Sequence, residues 1–323
     1  MIIDNNNKII TSKTQKNLFG YDYYFTLFKL LYEKKKLPNT ILLSGQKGLG
    51  KSTFAYHFSN FLLSKNEDYN YSIKDFSINL NNVSYNLVQN NIHPNFFLID
   101  KIDSEQNIKI EQVRNLLKFL NKSTFNNNLK IVLFDNIELL NLNSSNALLK
   151  ALEEPKENTF FFIIHNSSKK IINTIKSRSV IFNIYFSLTN KLKIFDKIVL
   201  DYDLNLNNVD TNRFLHLDTP GNLLNYLIIL KGSNLNISTD YLDCALFLID
   251  LYQKQKVADL LLLVSFFVEN FYNELSLKNQ FNTSQYNFNR NKILHLIDDM
   301  NKFNLDKKNI LFIISSILKN EAR

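Results

Sequence analysis

Apolar positions follow two regimes along this chain. In the first half, short continuous apolar runs alternate with stretches in which apolar residues recur every three or four positions. The runs in "NTILLS", "HPNFFLID" (96–99), "LKIVLFDNIELL" (Ile131 to Phe134), "TFFFII" and "KSRSVIFNI" read as strands. Unbroken runs such as "TFFFII" are typical of strands covered on both faces of a parallel sheet. Between them, helical spacing is carried by Phe25, Phe28 and Leu31 (ending near Pro38), by Ala55, Phe58, Phe61 and Leu62, and by Val113, Leu116, Leu117 and Leu120. A further helix presents Leu148, Leu149 and Leu152 inward and stops at Pro155, which cannot continue it. Strands alternating with helices predict an α/β domain with a parallel sheet.

Residues 64–92 are Asn-rich and weakly patterned, which predicts a surface insertion with one short helix. From Leu188 onward the pattern is helical only. "YLDCALFLIDLY", "VADLLLLVSFFVENFYNEL", "NKILHLIDDM" and "KKNILFIISSILK" suit a bundle, with the Asn-rich 279–291 stretch as an inter-helix loop. The apolar run Leu260 to Val268 is far shorter than the ~20 residues that cross a bilayer, so a buried helix is expected there. With 323 residues the chain can bury more than one core.

Glycine is scarce, 6 in all, and Gly45, Gly48 and Gly50 fall in one short loop, "GQKGLGKST". A strand precedes this loop and a helix follows it, the setting in which G-x-x-x-x-G-K-[ST] cradles phosphate at a helix N-terminus. Backbone N–H groups of residues 46–51 would ring the β-phosphate, Lys51 would reach the β/γ oxygens, and Ser52, with Thr53 beside it, would meet Mg²⁺. Asp135 ends the Ile131–Phe134 strand, where a P-loop protein presents its second magnesium-ordering acid.

Composition changes this picture little. The net charge of +8 suits an anionic partner such as nucleic acid, but a chain rich in Asn, Lys, Ile, Phe and Tyr and lacking Trp is also what AT-rich coding produces. The one cysteine, Cys244, has apolar helix neighbours and reads as core; alone it excludes an intrachain disulfide and a multi-cysteine zinc site. The first residues show no export signal, and a cytoplasmic location is expected.

In order and spacing, "KLPNTILLSGQKGLGKST", "HPNFFLID", "IEQVRNLLKFL", "KIVLFDNIELLN", "NALLKALEEP" and "TIKSRS" make the chain resemble the clamp-loader AAA+ family, and within it the delta-prime subunits of bacterial DNA polymerase III. The match covers roughly residues 15–186 and is thinner afterwards, at "DTPGN" and near the C-terminus. The resemblance implies a P-loop nucleotide-binding domain over 1–186, a helical lid over 187–235 and a helical collar over 236–323. It implies Mg²⁺–ATP as cofactor; other clamp-loader subunits in a hetero-pentamer, the sliding clamp and primer–template DNA as partners; and no membrane. Subunits of this kind act as the rigid arm of the loader.

Residue by residue, the resemblance makes Arg178 of "TIKSRS" a finger for a neighbour's ATP, with Ser179 where the family has Cys, and makes Asn166 the γ-phosphate sensor at the end of "TFFFIIHN". His165 beside it is expected to be a packing residue. The glutamate that follows the strand-end Asp in motor subunits is here Asn136, an amide and a very poor base, and Glu138 is expected to point elsewhere. Where the lid motif offers an Arg, this chain has Asn222. Arg114 and Lys150 sit on helices at motif positions with a solvated or interface role equally in view. The expectation is a subunit that binds ATP and cleaves it poorly; an active AAA+ motor is the alternative, resting on the intact P-loop.

Overall fold

The computed structural model describes residues 2–3, 9–101, 107–122, 129–204, 211–230, 235–236, 239–255, 259–302 and 305–321. The chain divides into two compact units, one of residues 1–204 and 212–223, the other of 205–211 and 224–323.

In the first unit a small antiparallel ribbon pairs β1 (Ile2–Ile3) with β2 (Ile9–Ile10). Five further strands, β3 (Thr40–Gly45), β4 (Phe96–Ile99), β5 (Lys130–Phe134), β6 (Thr159–Asn166) and β7 (Val180–Asn183), form one parallel sheet in the order β4-β5-β6-β3-β7. The helices are α1 (Asp22–Glu33), α2 (Lys51–Leu63), α3 (Val83–Gln89), α4 (Ile110–Asn121), α5 (Leu142–Glu153), α6 (Asn173–Lys176), α7 (Leu188–Asp201) and α8 (Thr211–Leu217), followed by α9 (Pro220–Leu230), which starts in this unit.

Alternate strand residues feed two cores. Ile41, Leu43, Ile131, Leu133 and Phe162 meet Phe25 and Phe28 of α1 and Phe54 and Phe58 of α2. Leu42, Val132, Phe134, Phe161 and Ile163 meet Val113 and Leu116 of α4 and Leu148 and Leu152 of α5. Period-2 alternation between two apolar faces is the reason the strands read as unbroken apolar runs. The α/β parallel-sheet fold expected from the sequence is the fold observed.

Two expectations need correction. Residues 64–92 do hold one short helix, α3, but are no mere surface insertion: Tyr71, Ile78, Tyr85 and Val88 are buried in the first core. Asn82 is fully buried, donating from Nδ2 to Tyr69 O at 2.7 Å and accepting from Asn60 Nδ2 at 2.9 Å. Side-chain bonds of this kind, rather than periodicity, fasten the segment, so its Asn-rich composition hid them. The second correction lies at 279–291, where a 3-10 turn runs directly into a helix.

That helix belongs to the second unit, which takes in the end of α9 together with α10 (Tyr241–Gln255), α11 (Asp259–Lys278), α12 (Thr283–Lys302) and α13 (Lys307–Glu321). α10 packs on α11 and α13, and α12 packs on the same two. Tyr286, Ile293, Ile297 and Met300 give α12 a buried stripe, and this packing overrides the poor helix propensity of its asparagines. The run Leu260 to Val268 lies inside α11 and supplies core, as expected; among the described residues no helix is long and apolar enough to cross a membrane. Cys244 is fully buried on α10, and burial pushes its thiol up to about 12.

Candidate functional site

The loop after β3 leads straight into α2, with Gly48 and Gly50 both at φ +83°, a region that only glycine enters without strain. Each carbonyl from Gly45 to Gly50 is tied to the surrounding chain. Gly45 O accepts from Ser167 N, Lys47 O from Thr219 Oγ1 at 2.8 Å, and Gly48 O from Gly221 N at 2.9 Å. Leu49 O accepts from the buried Tyr21 hydroxyl at 3.0 Å, and Gly50 O accepts from Phe54 N. Gln46 O accepts from Lys51 Nζ at 2.6 Å, and the same amine reaches Gly45 O at 2.8 Å. A loop anchored through its carbonyls is a nest whose N–H side serves an anion.

Lys51 opens α2 and is buried; burial depresses its amine to about 8, against the opposing pull of Asp135 and Glu138. One residue on, Ser52 Oγ donates to Asp135 Oδ1 at 2.9 Å, so the loop and the end of β5 meet as the sequence expects. Burial, and after it the charge on Asp100, raises the Asp135 carboxyl to about 6, with the Ser52 bond and Lys51 opposing. Thr53, half-buried, follows on the same first turn.

A buried amine and a half-buried carboxylate, both pushed toward neutrality, form a site that an anion at Lys51 and a cation at Asp135 would restore. Among the described residues no group of three or more His, Cys, Asp or Glu is arranged to hold a metal alone. The Ser52–Asp135 pair suits a magnesium ion that brings phosphate oxygens and waters of its own. The donor set therefore fits a magnesium-bound nucleoside triphosphate.

The opposite side of the site is built differently. Asn136 follows Asp135 with φ 61° and ψ 52°, a left-handed conformation asparagine tolerates, and its Nδ2 donates to Asp100 Oδ1 at 2.8 Å. Its amide is thus turned toward the end of β4. The left-handed step feeds a 3-10 turn over Ile137–Leu139, which swings Glu138 back to the sheet edge. Glu138 Oε2 accepts from Asn166 N at 3.4 Å, and its charge bears on both Lys51 and Asp135. The expectation that Glu138 points elsewhere is therefore corrected: extended chain would have carried it further from the strand end, and the 3-10 turn after Asn136 keeps it close.

Asn166 ends β6 opposite Gly45 of β3, and its Oδ1 accepts from Ser168 N at 3.2 Å. His165 is buried: Nε2 donates to Lys169 O at 2.9 Å, leaving Nδ1 to accept from Ser44 Oγ at 3.0 Å, a structural position. The segment "DTPGN" lies on the P-loop. A Cβ at Gly48 would come within 2.2 Å of Thr219 Oγ1, and a Cβ at Gly221 within 2.6 Å of Gly48 O. Asn222 Nδ2 donates to Asp218 Oδ1 at 2.7 Å, so this amide serves its own turn.

Arg178 lies apart from this cluster, just past α6, and pairs with Glu153 at the end of α5. Arg114 and Lys150 are exposed on α4 and α5. Sequence reasoning missed Tyr21, Asp100, Thr219 and Glu153; of these, Asp100 carried a signal, an acid at the end of an apolar strand.

The model of a family described as "DNA polymerase III, delta subunit" matches residues 22–186, half of the chain. The DNA polymerase III subunit delta' of Pseudomonas aeruginosa is 29% identical over 160 residues, 50% of this chain and 47% of that protein. The DNA polymerase III subunit gamma of Buchnera aphidicola from Acyrthosiphon pisum is 27% identical over 200 residues, 62% and 52% of the two chains. A solved gamma subunit-related protein from Thermotoga maritima overlays with a TM-score of 0.47 at 18% identity, over 92% of this chain and 99% of its own. The chain spans about half the length of the curated relatives it matches.

Proposed function

The chain belongs to the DNA polymerase III delta-subunit family, and from that premise we propose that it is a delta-prime-like stator of a clamp loader, holding ATP that it cleaves poorly. The observation that carries this is the contrast within one site: Lys51, Ser52 and Asp135 meet at the P-loop, while Asn136 turns its amide to Asp100. Lys51 and the loop N–H groups bind and orient the phosphates, and Ser52 and Asp135 hold magnesium, which when bound neutralises phosphate charge. Asn136 supplies no base to the attacking water, a lack worth about 10²–10⁴ in rate. Asn166 serves as the γ-phosphate sensor, and Arg178 is given to the nucleotide of a neighbouring subunit.

The partners in this reading are the other subunits of a hetero-pentamer, the sliding clamp and primer–template DNA, met in the cytoplasm. Residues 187–235 act as lid and 236–323 as collar. DNA is gripped through phosphates, to which the +8 charge contributes. The test is reconstitution: this chain, mixed with gamma-type subunits and clamp from the same replication system, should co-assemble and be required for loading clamp on primed DNA. Failure to enter the assembly would sink the proposal.

A second reading has one observation in its favour. Glu138 faces Lys51 at the sheet edge, so an active ATPase would draw its carboxylate from there instead of from residue 136.

A further inference from the structure

An arginine on a surface normally samples many rotamers and loses about 2 kcal/mol of side-chain entropy when fixed. Arg178 is already held at three nitrogens. Nε donates to Glu153 Oε1 at 2.7 Å, Nη2 donates to the same oxygen, and Nη1 donates to Thr174 O at 2.9 Å, with a longer contact to Ser177 Oγ at 3.4 Å. Both carriers are pinned to one core: Leu152, next to Glu153, and Ile175, three residues before Arg178, are buried in the same cluster. The guanidinium plane is thereby set by the fold.

Stability does not explain this arrangement. The two side chains keep 29% and 45% of their exposure, and ion pairs at that exposure contribute little to folding. What the contacts do is orient a cation whose second Nη2 N–H carries no bond among these contacts, while the Ser177 contact on Nη1 is long.

We propose that Glu153 is the positioning residue for the Arg178 finger, fixing the guanidinium in the orientation in which it meets a neighbouring subunit's nucleotide. The inference rests on the reading of Arg178 as a finger acting in trans. Ordering one long side chain in advance removes a cost that association would otherwise carry, equivalent to about three- to tenfold in rate. Glu154, also exposed and one residue further on, is the internal control.

The test uses the assembled loader carrying wild-type chain, Arg178→Ala, Glu153→Gln or Glu154→Gln, reading kcat and KM for ATP and the thermal midpoint of each free chain. Arg178→Ala should lower kcat most. Glu153→Gln should lower it roughly three- to tenfold with KM and midpoint unchanged, and Glu154→Gln should do nothing. If Arg178→Ala slows the neighbour but Glu153→Gln leaves kcat unchanged or raises it, the positioning role is wrong while the finger stands. No effect of Arg178→Ala removes the finger reading and this inference with it.

Discussion

At the C-terminal edge of one sheet, two loops face the same space and have been furnished differently. The loop after β3 has six successive carbonyls tied down, two left-handed glycines, a buried lysine and a serine bonded across to Asp135. The loop after β5 begins with an amide spent on Asp100, and the turn that follows brings in Glu138, whose contact with Asn166 N is long, at 3.4 Å. Binding a phosphate needs a preformed donor set; cleaving it needs, in addition, a base aimed at water. The lesson is that a P-loop reports only the first requirement.

Disrupting the phosphate-holding side should do the most damage. Lys51→Ala removes a charge-assisted partner worth about 1.5–3 kcal/mol per bond, so ATP affinity should fall roughly 100-fold or more, measured with a fluorescent ATP analogue. Unchanged affinity would mean the loop does not grip phosphate.

Acid should loosen that side as well. His57 of α2 is buried, with Nε2 donating to Gln15 O and Nδ1 accepting from Tyr71 Oη, and burial depresses it to about 4. His93 is held to about 4 for the same reason, partly offset by Glu67. Both fold in neutral form while the unfolded chain takes up protons, so their stabilisation is complete above about pH 6.5 and is lost as pH falls through about 4. His57 contributes on the order of 3 kcal/mol at neutral pH, and the less enclosed His93 contributes less. Denaturant melts between pH 4 and 7 should show that slope, and His57→Gln should flatten it.

Gly48→Ala comes next: it forces a left-handed alanine and sets a methyl against Thr219, at an expected cost of about 2 kcal/mol in stability. A neutral result would mean the "DTPGN" segment does not rest on the P-loop. The smallest effect sharpens the cleaving side. Asn136→Glu places a carboxylate against Asp100 on a left-handed residue, so it should lower stability by about 1 kcal/mol without creating ATPase activity. A gain in cleavage would show that only the side chain's identity was missing.

Much of this contrast was legible in the sequence. The glycine loop, Asp135 at a strand end and Asn136 after it are local patterns, and local patterns survive folding. Glu138 was misjudged because its direction depends on one left-handed residue, which no periodicity reports. The anchoring of 64–92 was hidden for a related reason: Glu67 accepts from Val83 N and from Ser84, and Asn82 meets Asn60, bonds between residues far apart in sequence. The stretch 279–291 became helix because α12 buries a stripe that begins at Tyr286, a tertiary effect outweighing asparagine's preference for turns.

Whether the chain holds ATP without cleaving it is decided by single-turnover cleavage of labelled ATP in the presence of Mg²⁺, after binding is confirmed. Bound ATP should stay intact, with cleavage at least about 100-fold slower than a gamma-type motor subunit achieves. Rapid cleavage abolished in both Lys51→Ala and Glu138→Gln, yet surviving in Asn136→Ala, would contradict it and make this chain a motor with its carboxylate displaced by two residues.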